Sequence, residues 1–143
     1  MLSSSDWTAV LSNAIPTSDA TSRLADPAAG GIAIFLGTTR AESNDEGRPL
    51  IALDYEAYPD MALPQLQILA DRARQKWPIV KLALLHRVGR VALAEPSVII
   101  AVATPHRQDA FEACRWLIDT LKSEAAIWKK EIWADGSGSW VGV

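Results

Sequence analysis

Strand-like segments in this chain follow one another in pairs without a helix between them, and this pattern restricts the folds open to it. Residues 30–37 (GGIAIFLG) and 50–58 (LIALDYEAY) form one pair, and residues 79–89 (IVKLALLHRVG) and 97–104 (SVIIAVAT) form another. The tail, residues 129–143, indicates two short strands around a glycine-containing turn. A doubly wound parallel sheet needs a helix between consecutive strands. The pattern therefore predicts an α+β fold, with helices packed on a mostly antiparallel sheet.

Apolar spacing also predicts which strands are buried. Residues 97–104 are apolar at both alternating positions, and residues 30–37 are a short apolar run between glycines, so both indicate buried strands. Residues 50–58 alternate instead, which is typical of a half-exposed strand. The face predicted to be buried carries Ile51, Leu53 and Tyr55. A further short strand is predicted at residues 7–11 (WTAVL).

Three segments have the periodicity of helices. One is predicted to begin at Thr104 as its N-cap and to run to about Ser123. Another covers residues 60–77, with Asp60 as its cap, and a short one covers residues 17–26. The side chains predicted to face the core are Phe111, Cys114, Ile118 and Leu121 in the last helix and Leu66, Leu69, Ala73 and Trp77 in the middle one.

Composition excludes several classes of protein. The chain has 143 residues, of which 49% are hydrophobic, and this fits one domain with a real core. A net charge of −3 makes general nucleic-acid binding a poor candidate, because there is no basic surplus to neutralise phosphates. One cysteine and no evident signal peptide or membrane span predict a cytoplasmic protein. One cysteine and two histidines make a structural zinc site unfavourable.

Familiar catalytic motifs are absent, since the sequence has no P-loop, no GxGxxG and no GxSxG. Cys114 falls on an apolar helix stripe, so core packing explains it. His86 lies late in an apolar strand and is interpreted as structural. The four tryptophans of the last thirty residues either stack a flat heterocycle or form a core or subunit interface. They are Trp116, Trp128, Trp133 and Trp140.

Basic residues give the most informative signal. His106 and Arg107 stand at the start of a helix, where the positive end of the dipole disfavours cations by about 0.3–1 kcal/mol. An anion bound at this helix start would make the two cations favourable instead of unfavourable. If the strands before Arg40 and His106 are neighbours, these side chains converge at one end of the sheet, with Lys122 and Lys129 nearby. Taken singly, each cation is better explained as a solvated side chain, and the helix dipole alone could explain Lys122.

Five segments, in this order and spacing, resemble the large, catalytic subunit of molybdopterin synthase. They are GGIAIFLGTTR, LDYEAYPDMA, WPIVKLALLHRVGRV, PHRQDAFEACRWLIDTLK and IWKKEIWADGSGSWV, and they cover roughly residues 28–141. The resemblance implies an α/β hammerhead fold, in agreement with the α+β prediction. It treats residues 1–143 as a single domain of this type, with residues 1–27 only loosely matched.

The resemblance also implies an activity. The family is a sulfurtransferase that converts cyclic pyranopterin monophosphate into molybdopterin by installing two dithiolene sulfurs. The sulfur comes from the C-terminal thiocarboxylate of a small ubiquitin-like subunit that ends in Gly-Gly, whose tail enters a pocket of the large subunit. Two large subunits form a central homodimer within a heterotetramer. No metal or other cofactor is implied, because molybdenum enters at a later step.

The resemblance also implies roles for the residues of this chain that match the family's functional positions. Lys122 would be catalytic, either as the proton-transfer residue or as a nucleophile toward the carrier's C-terminal carbonyl, and Lys129 would stabilise developing negative charge. Residues 41–49, which are rich in turn formers, are expected to be a mobile loop that closes over the site. The residues expected to bind substrate are Thr38, Thr39, Arg40, His106, Arg107, Lys130 and Glu131.

Two other classes of function stay open on the residues alone. A non-catalytic binding module for a phosphorylated small molecule would need the arginines but not Lys122. A homodimeric interaction protein would use its tryptophan-rich tail only as an interface.

Overall fold

A computed structural model describes residues 6–142, in which two four-stranded sheets are combined with three helices. The predicted α+β class is confirmed. In chain order the elements are β1 (Asp6–Leu11), α1 (Thr17–Ser22), β2 (Gly31–Thr38), β3 (Leu50–Ala57), α2 (Pro59–Lys76), β4 (Lys81–Arg87), β5 (Gly89–Ala92), β6 (Pro96–Thr104), α3 (Arg107–Glu124), β7 (Ile127–Trp133) and β8 (Gly138–Gly142).

The first sheet has the strand order β1-β4-β6-β2. Strand β6 lies inside it and runs antiparallel to both β4 and β2, whereas β1 joins β4 in parallel. As predicted, β6 is buried on both faces, because α2 and α3 pack on one side of it and α1 packs on the other. Its Val and Ile side chains suit such a central strand, since branched side chains pack well on a pleated surface.

Strand β2 is at the edge of this sheet, so the prediction that residues 30–37 are buried was wrong for one face. Ala33 and Phe35 pack toward the helices. The apolar core on the other side is built from β4, β6 and α1 side chains and includes none from β2. Three apolar side chains of β2 are therefore exposed, namely Ile32 (42%), Ile34 (46%) and Leu36 (39%).

The second sheet has the order β5-β3-β7-β8 and is antiparallel throughout. The short strand β5 was not predicted. It forms because the chain leaves β4 and turns at Gly89, whose φ of 90° favours glycine. A register shift between Leu50 and Ala52 changes which side chains of β3 face inward. Leu50 is consequently buried and Ile51 is 44% exposed, contrary to the predicted face.

The start of α3 differs from the prediction. Thr104 is not the N-cap but the last residue of β6, and its hydroxyl donates to the His106 carbonyl at 2.6 Å. His106 is the N-cap, without a side-chain capping bond, and Arg107 is the first helical residue. Helix α2 begins at Pro59, with Tyr58 rather than Asp60 as its N-cap.

The apolar stripe of α3 is also shifted. Cys114, Ile118 and Leu121 are buried as predicted, but Phe111 is 66% exposed. Ala110 is buried in its place. Within residues 6–142, no helix is both long and apolar enough to cross a membrane.

Candidate active site

A cavity of about 530 Å³ opens where the end of β2 meets the second sheet and the last turns of α3. Its floor lies at the seam between the two sheets, where the rings of Tyr55 and His86 meet edge to face with centroids 5.1 Å apart. The lining residues are Phe35, Leu36, Gly37, Thr38, Arg40, Glu42, Leu50, Leu53, Tyr55, His86, Ser97, Val98, Ile118, Leu121, Lys122 and Lys129.

Three cations of one chain share this cavity. Lys122 stands in the last turn of α3, and Lys129 lies opposite Tyr55 in the ladder between β3 and β7. Arg40 follows the end of β2. The structure thus brings together the two lysines predicted to be catalytic and one of the arginines predicted to bind substrate.

Lys130 and Glu131 lie on opposite faces of β7, because successive residues of a strand alternate. Lys130 lies opposite Asp54 and Trp140, and its Nζ is 5.8 Å from the centroid of the Trp140 ring. Asp54 on the same outer face pairs with Arg90, and its pKa is lowered by that hydrogen bond and by the charges of Arg90 and Lys130. Lys130 therefore does not line the cavity.

Glu131 lies on the same face of β7 as Lys129 and forms an acidic pair with Glu42, which lines the cavity. Burial raises the pKa of Glu131, and the neighbouring Glu42 raises it further, whereas the Lys129 charge opposes both effects. This pair sets negative charge beside the cationic wall.

The residues at the end of β2 differ in their surroundings. Thr38 lines the cavity, but Thr39 is buried and its hydroxyl has no hydrogen-bond partner among the described residues. The Arg40 side chain is 87% exposed and lies 3.7 Å from Glu42. A surface pair of this kind holds its arginine only weakly, so Arg40 is free to meet an anion.

His106 and Arg107 are not brought into this cavity. Strands β2 and β6 are neighbours, as the sequence argument required, but they are antiparallel, so Gly31 pairs with Thr104 and Thr38 pairs with Pro96. Arg40 and His106 consequently lie at opposite ends of the sheet. Helix α3 separates Arg107 from Lys122 as well, since fifteen residues span about 22 Å along a helix.

Residues 41–49 form a hydrogen-bonded turn beside the cavity. The Asn44 side chain accepts from the backbone N–H groups of Glu46 and Arg48, which closes the turn. Arg48 also pairs with Asp135 in the turn between β7 and β8, and the Ala134 N–H donates to the Pro49 carbonyl at 2.9 Å. The loop is therefore connected to the hairpin that carries Lys129.

His86 is the residue on the cavity wall that sequence analysis interpreted as structural only. It is 1% exposed, and burial lowers its pKa to about 4, so the imidazole is neutral near pH 7. Its Nδ1 lies 2.8 Å from the Arg87 carbonyl. Strand β4 is apolar on both faces, so alternation alone gave no signal of which face His86 occupies.

Cys114 packs as predicted. Burial raises the pKa of its thiol to about 11, and Sγ lies 3.6 Å from the Ile100 carbonyl, so it is not poised as a nucleophile. Within the described part of the chain, no group of three or more His, Cys, Asp or Glu side chains could hold a metal ion.

The geometry suits an anion. Cations on the wall attract negative charge, and the apolar floor lowers the local dielectric and so strengthens that attraction. The fold and the cavity together define the class of the protein, an α+β protein with a pocket lined by three cations.

Comparison with known proteins identifies the family. The model of the MoaE protein family matches residues 10–124, and the chain belongs to this family. A molybdopterin synthase catalytic subunit from Thermoplasma volcanium is 47% identical over 122 residues, which are 85% of this chain and 88% of that protein. The resemblance drawn from the five segments is confirmed.

Solved structures agree with the fold. The crystal structure of molybdopterin synthase from Staphylococcus aureus has a TM-score of 0.87 and 33% identity, covering 94% of this chain and 96% of that one. A protein–protein complex of subunits 1 and 2 of molybdopterin-converting factor from Helicobacter pylori has a TM-score of 0.73. That match is 18% identical over 94% of this chain and 89% of the other, and it shows the fold alone.

Proposed function

We propose that this chain is the catalytic subunit of a molybdopterin synthase and that its cavity transfers sulfur to cyclic pyranopterin monophosphate. The sulfur donor would be the C-terminal thiocarboxylate of a small carrier subunit ending in Gly-Gly. The observation that carries the proposal is the convergence of Arg40, Lys122 and Lys129 on one cavity, because both the thiocarboxylate and the substrate phosphate are anions. Membership of the MoaE family supports the same assignment.

A partner subunit fits both the surface and the relatives. The Helicobacter pylori neighbour is a complex of two subunits, and in this chain the exposed Leu36 of β2 lines the cavity. We propose that the small carrier binds there and extends its C-terminal tail into the cavity. A basic wall then draws in the charged end of the tail.

The chemistry assigns separate tasks to the two lysines. As the thiocarboxylate sulfur bonds to a substrate carbon, the carbon–oxygen bond breaks and the leaving oxygen takes a proton from Lys122. Lys129 stabilises the negative charge that develops on oxygen. Water then hydrolyses the acyl–sulfur bond, which leaves the sulfur on the substrate and a carboxylate on the carrier. In the alternative role, the Lys122 amine would attack the carrier carbonyl itself.

His106 and Arg107 can act at such a site only from a second copy of the chain. Within one chain, Arg107 lies about 22 Å from Lys122 along the axis of α3, and His106 stands at the same far end of the helix. We propose that the homodimer places these two side chains of one copy near the cavity of the other, where they bind the substrate phosphate. Arg40 supplies the nearer positive charge.

A single-turnover assay with thiocarboxylated carrier tests the catalytic assignment. We expect Lys122→Ala to lower the rate of molybdopterin formation by about 10²–10⁴-fold, as for loss of a general acid or base. Lys76→Ala is the matched control, because Lys76 also lies in the last turn of a helix but not at the cavity. A Lys122→Ala protein that makes molybdopterin at the wild-type rate would refute the catalytic role of Lys122, whereas a wild-type chain that binds the substrate without forming molybdopterin would favour a binding module.

A further inference from the structure

The cavity floor carries one hydrogen-bond acceptor that the fold leaves unused. Carbonyl oxygens only accept, so the contact of His86 Nδ1 with the Arg87 carbonyl requires the proton to be on Nδ1. In the neutral ring, Nε2 then carries a lone pair. No described residue hydrogen-bonds to this atom, although the ring is almost fully buried and lines the cavity.

Two other polar side chains, Tyr55 and Ser97, line the cavity floor beside His86. The Ser97 hydroxyl donates to the Gly37 carbonyl at 3.4 Å, and the Tyr55 ring packs edge to face against His86. Around them the floor is apolar, with side chains such as Leu53, Val98 and Leu121. Since His86 lines the cavity and no described residue donates to Nε2, this acceptor is open to a donor that arrives with a ligand.

We propose that His86 is a positioning residue whose Nε2 accepts a backbone N–H of the carrier's C-terminal Gly-Gly tail. This inference rests on the proposed function. The occupant is argued from chemistry: an extended peptide presents one N–H per residue, and two glycines pass an apolar floor without side chains that would clash. A pterin ring carries several donors and acceptors, which suit the polar wall with Thr38, Glu42 and the cations better than this largely apolar floor.

Neutrality is essential to this role. A protonated imidazole would offer a second donor and would repel a peptide N–H. Burial among apolar side chains holds the ring neutral, and the hydrogen bond from Nδ1 fixes its orientation. The cations of the wall therefore hold the charged end of the tail, and His86 fixes the backbone just before it.

Semi-synthetic carriers provide the test. In two of them, the amide N–H of the last or of the next-to-last residue is replaced by an ester oxygen, which removes one donor and keeps the shape. We expect one ester carrier to bind the wild-type protein about tenfold more weakly than the all-amide carrier, as for loss of one buried hydrogen bond. In His86→Phe the amide and ester carriers should bind equally.

Two further variants separate this role from a structural one. His86→Gln can place an oxygen acceptor near the position of Nε2, so we expect it to recover discrimination between amide and ester. Tyr55→Phe keeps the ring against His86 and should discriminate as the wild type does. Thermal unfolding of each variant shows whether it is folded, and if His86→Phe is not, His86→Leu replaces it.

Three results would overturn the inference. Equal binding of amide and both ester carriers to the wild-type protein, with sulfur transfer intact, would refute the hydrogen bond while leaving the proposed function in place. Weaker pterin binding in His86→Phe with unchanged carrier binding would assign the acceptor to the other substrate. If the all-amide carrier neither binds nor delivers sulfur, the proposed function fails and the inference fails with it.

Discussion

Buried His86 should make the stability of this protein depend on pH in a way that one substitution removes. Its pKa is about 4 in the folded chain against 6.5 as the ordinary value. Below pH 6.5 the unfolded chain therefore binds a proton that the folded chain does not. Stability is lost as the pH falls from 6.5 toward 4, and the full loss is about 3 kcal/mol, since one pKa unit corresponds to about 1.4 kcal/mol.

At pH 5 about 2 kcal/mol of this loss is already present, because the unfolded histidine is almost fully protonated while the folded one is mostly neutral. Replacing the ring by the uncharged amide of His86→Gln removes the titration. We expect the free energy of unfolding of the wild type to fall between pH 8 and pH 5 by about 2 kcal/mol more than that of His86→Gln.

Urea unfolding at several pH values measures this difference directly. Carboxylates titrate in both proteins, so their contribution cancels when the two profiles are subtracted. Tyr55→Phe is the control, because it keeps His86 and should retain the wild-type profile. Parallel profiles for the wild type and His86→Gln would refute the claim that His86 is buried as a neutral ring.

Three further predictions follow from the geometry. Mixing Lys122→Ala with Arg107→Ala protein, allowing subunits to exchange, should restore about a quarter of wild-type single-turnover activity if the dimer site is shared as proposed; no recovery would place both residues in one chain's site. Lys129→Ala should lower the rate by about a hundredfold and Lys130→Ala by much less, since only Lys129 lines the cavity; equal losses would contradict the alternation argument. Ala94→Gly should stabilise the protein by about 1 kcal/mol in urea unfolding, because Ala94 has a φ of 68°, and a destabilised variant would refute this.

Patterns with a strong local cause were predictable from the sequence. The double-sided apolar run of β6 required a central position, and the tail hairpin followed from its glycine-containing turn. Burial of β2 depended instead on its place in the sheet order, which no local pattern determines. The shift at Leu50 similarly arises from pairing with β7 rather than from the spacing within β3.

In the candidate site, too, some features were predictable from the sequence and others were not. Arg40, Lys122 and Lys129 were correctly expected together, because their types and the resemblance both pointed to an anion. The expectation that His106 joins Arg40 through neighbouring strands was wrong within one chain, because neighbouring strands need not be parallel. The distance between Arg107 and Lys122 could have been predicted from the rise per residue of a helix alone. The position of His86 on the cavity wall was not predicted, because an apolar strand gives no signal of which face borders a cavity.

The connection between residues 41–49 and the β7–β8 turn has a consequence for motion. Arg48 and Pro49 both hold the loop to the hairpin, through Asp135 and Ala134. A loop tied in this way does not swing as an independent flap. We expect displacement of its tip to shift the turn that follows β7, the strand that presents Lys129, so that movement of the loop and the placement of this lysine are coupled.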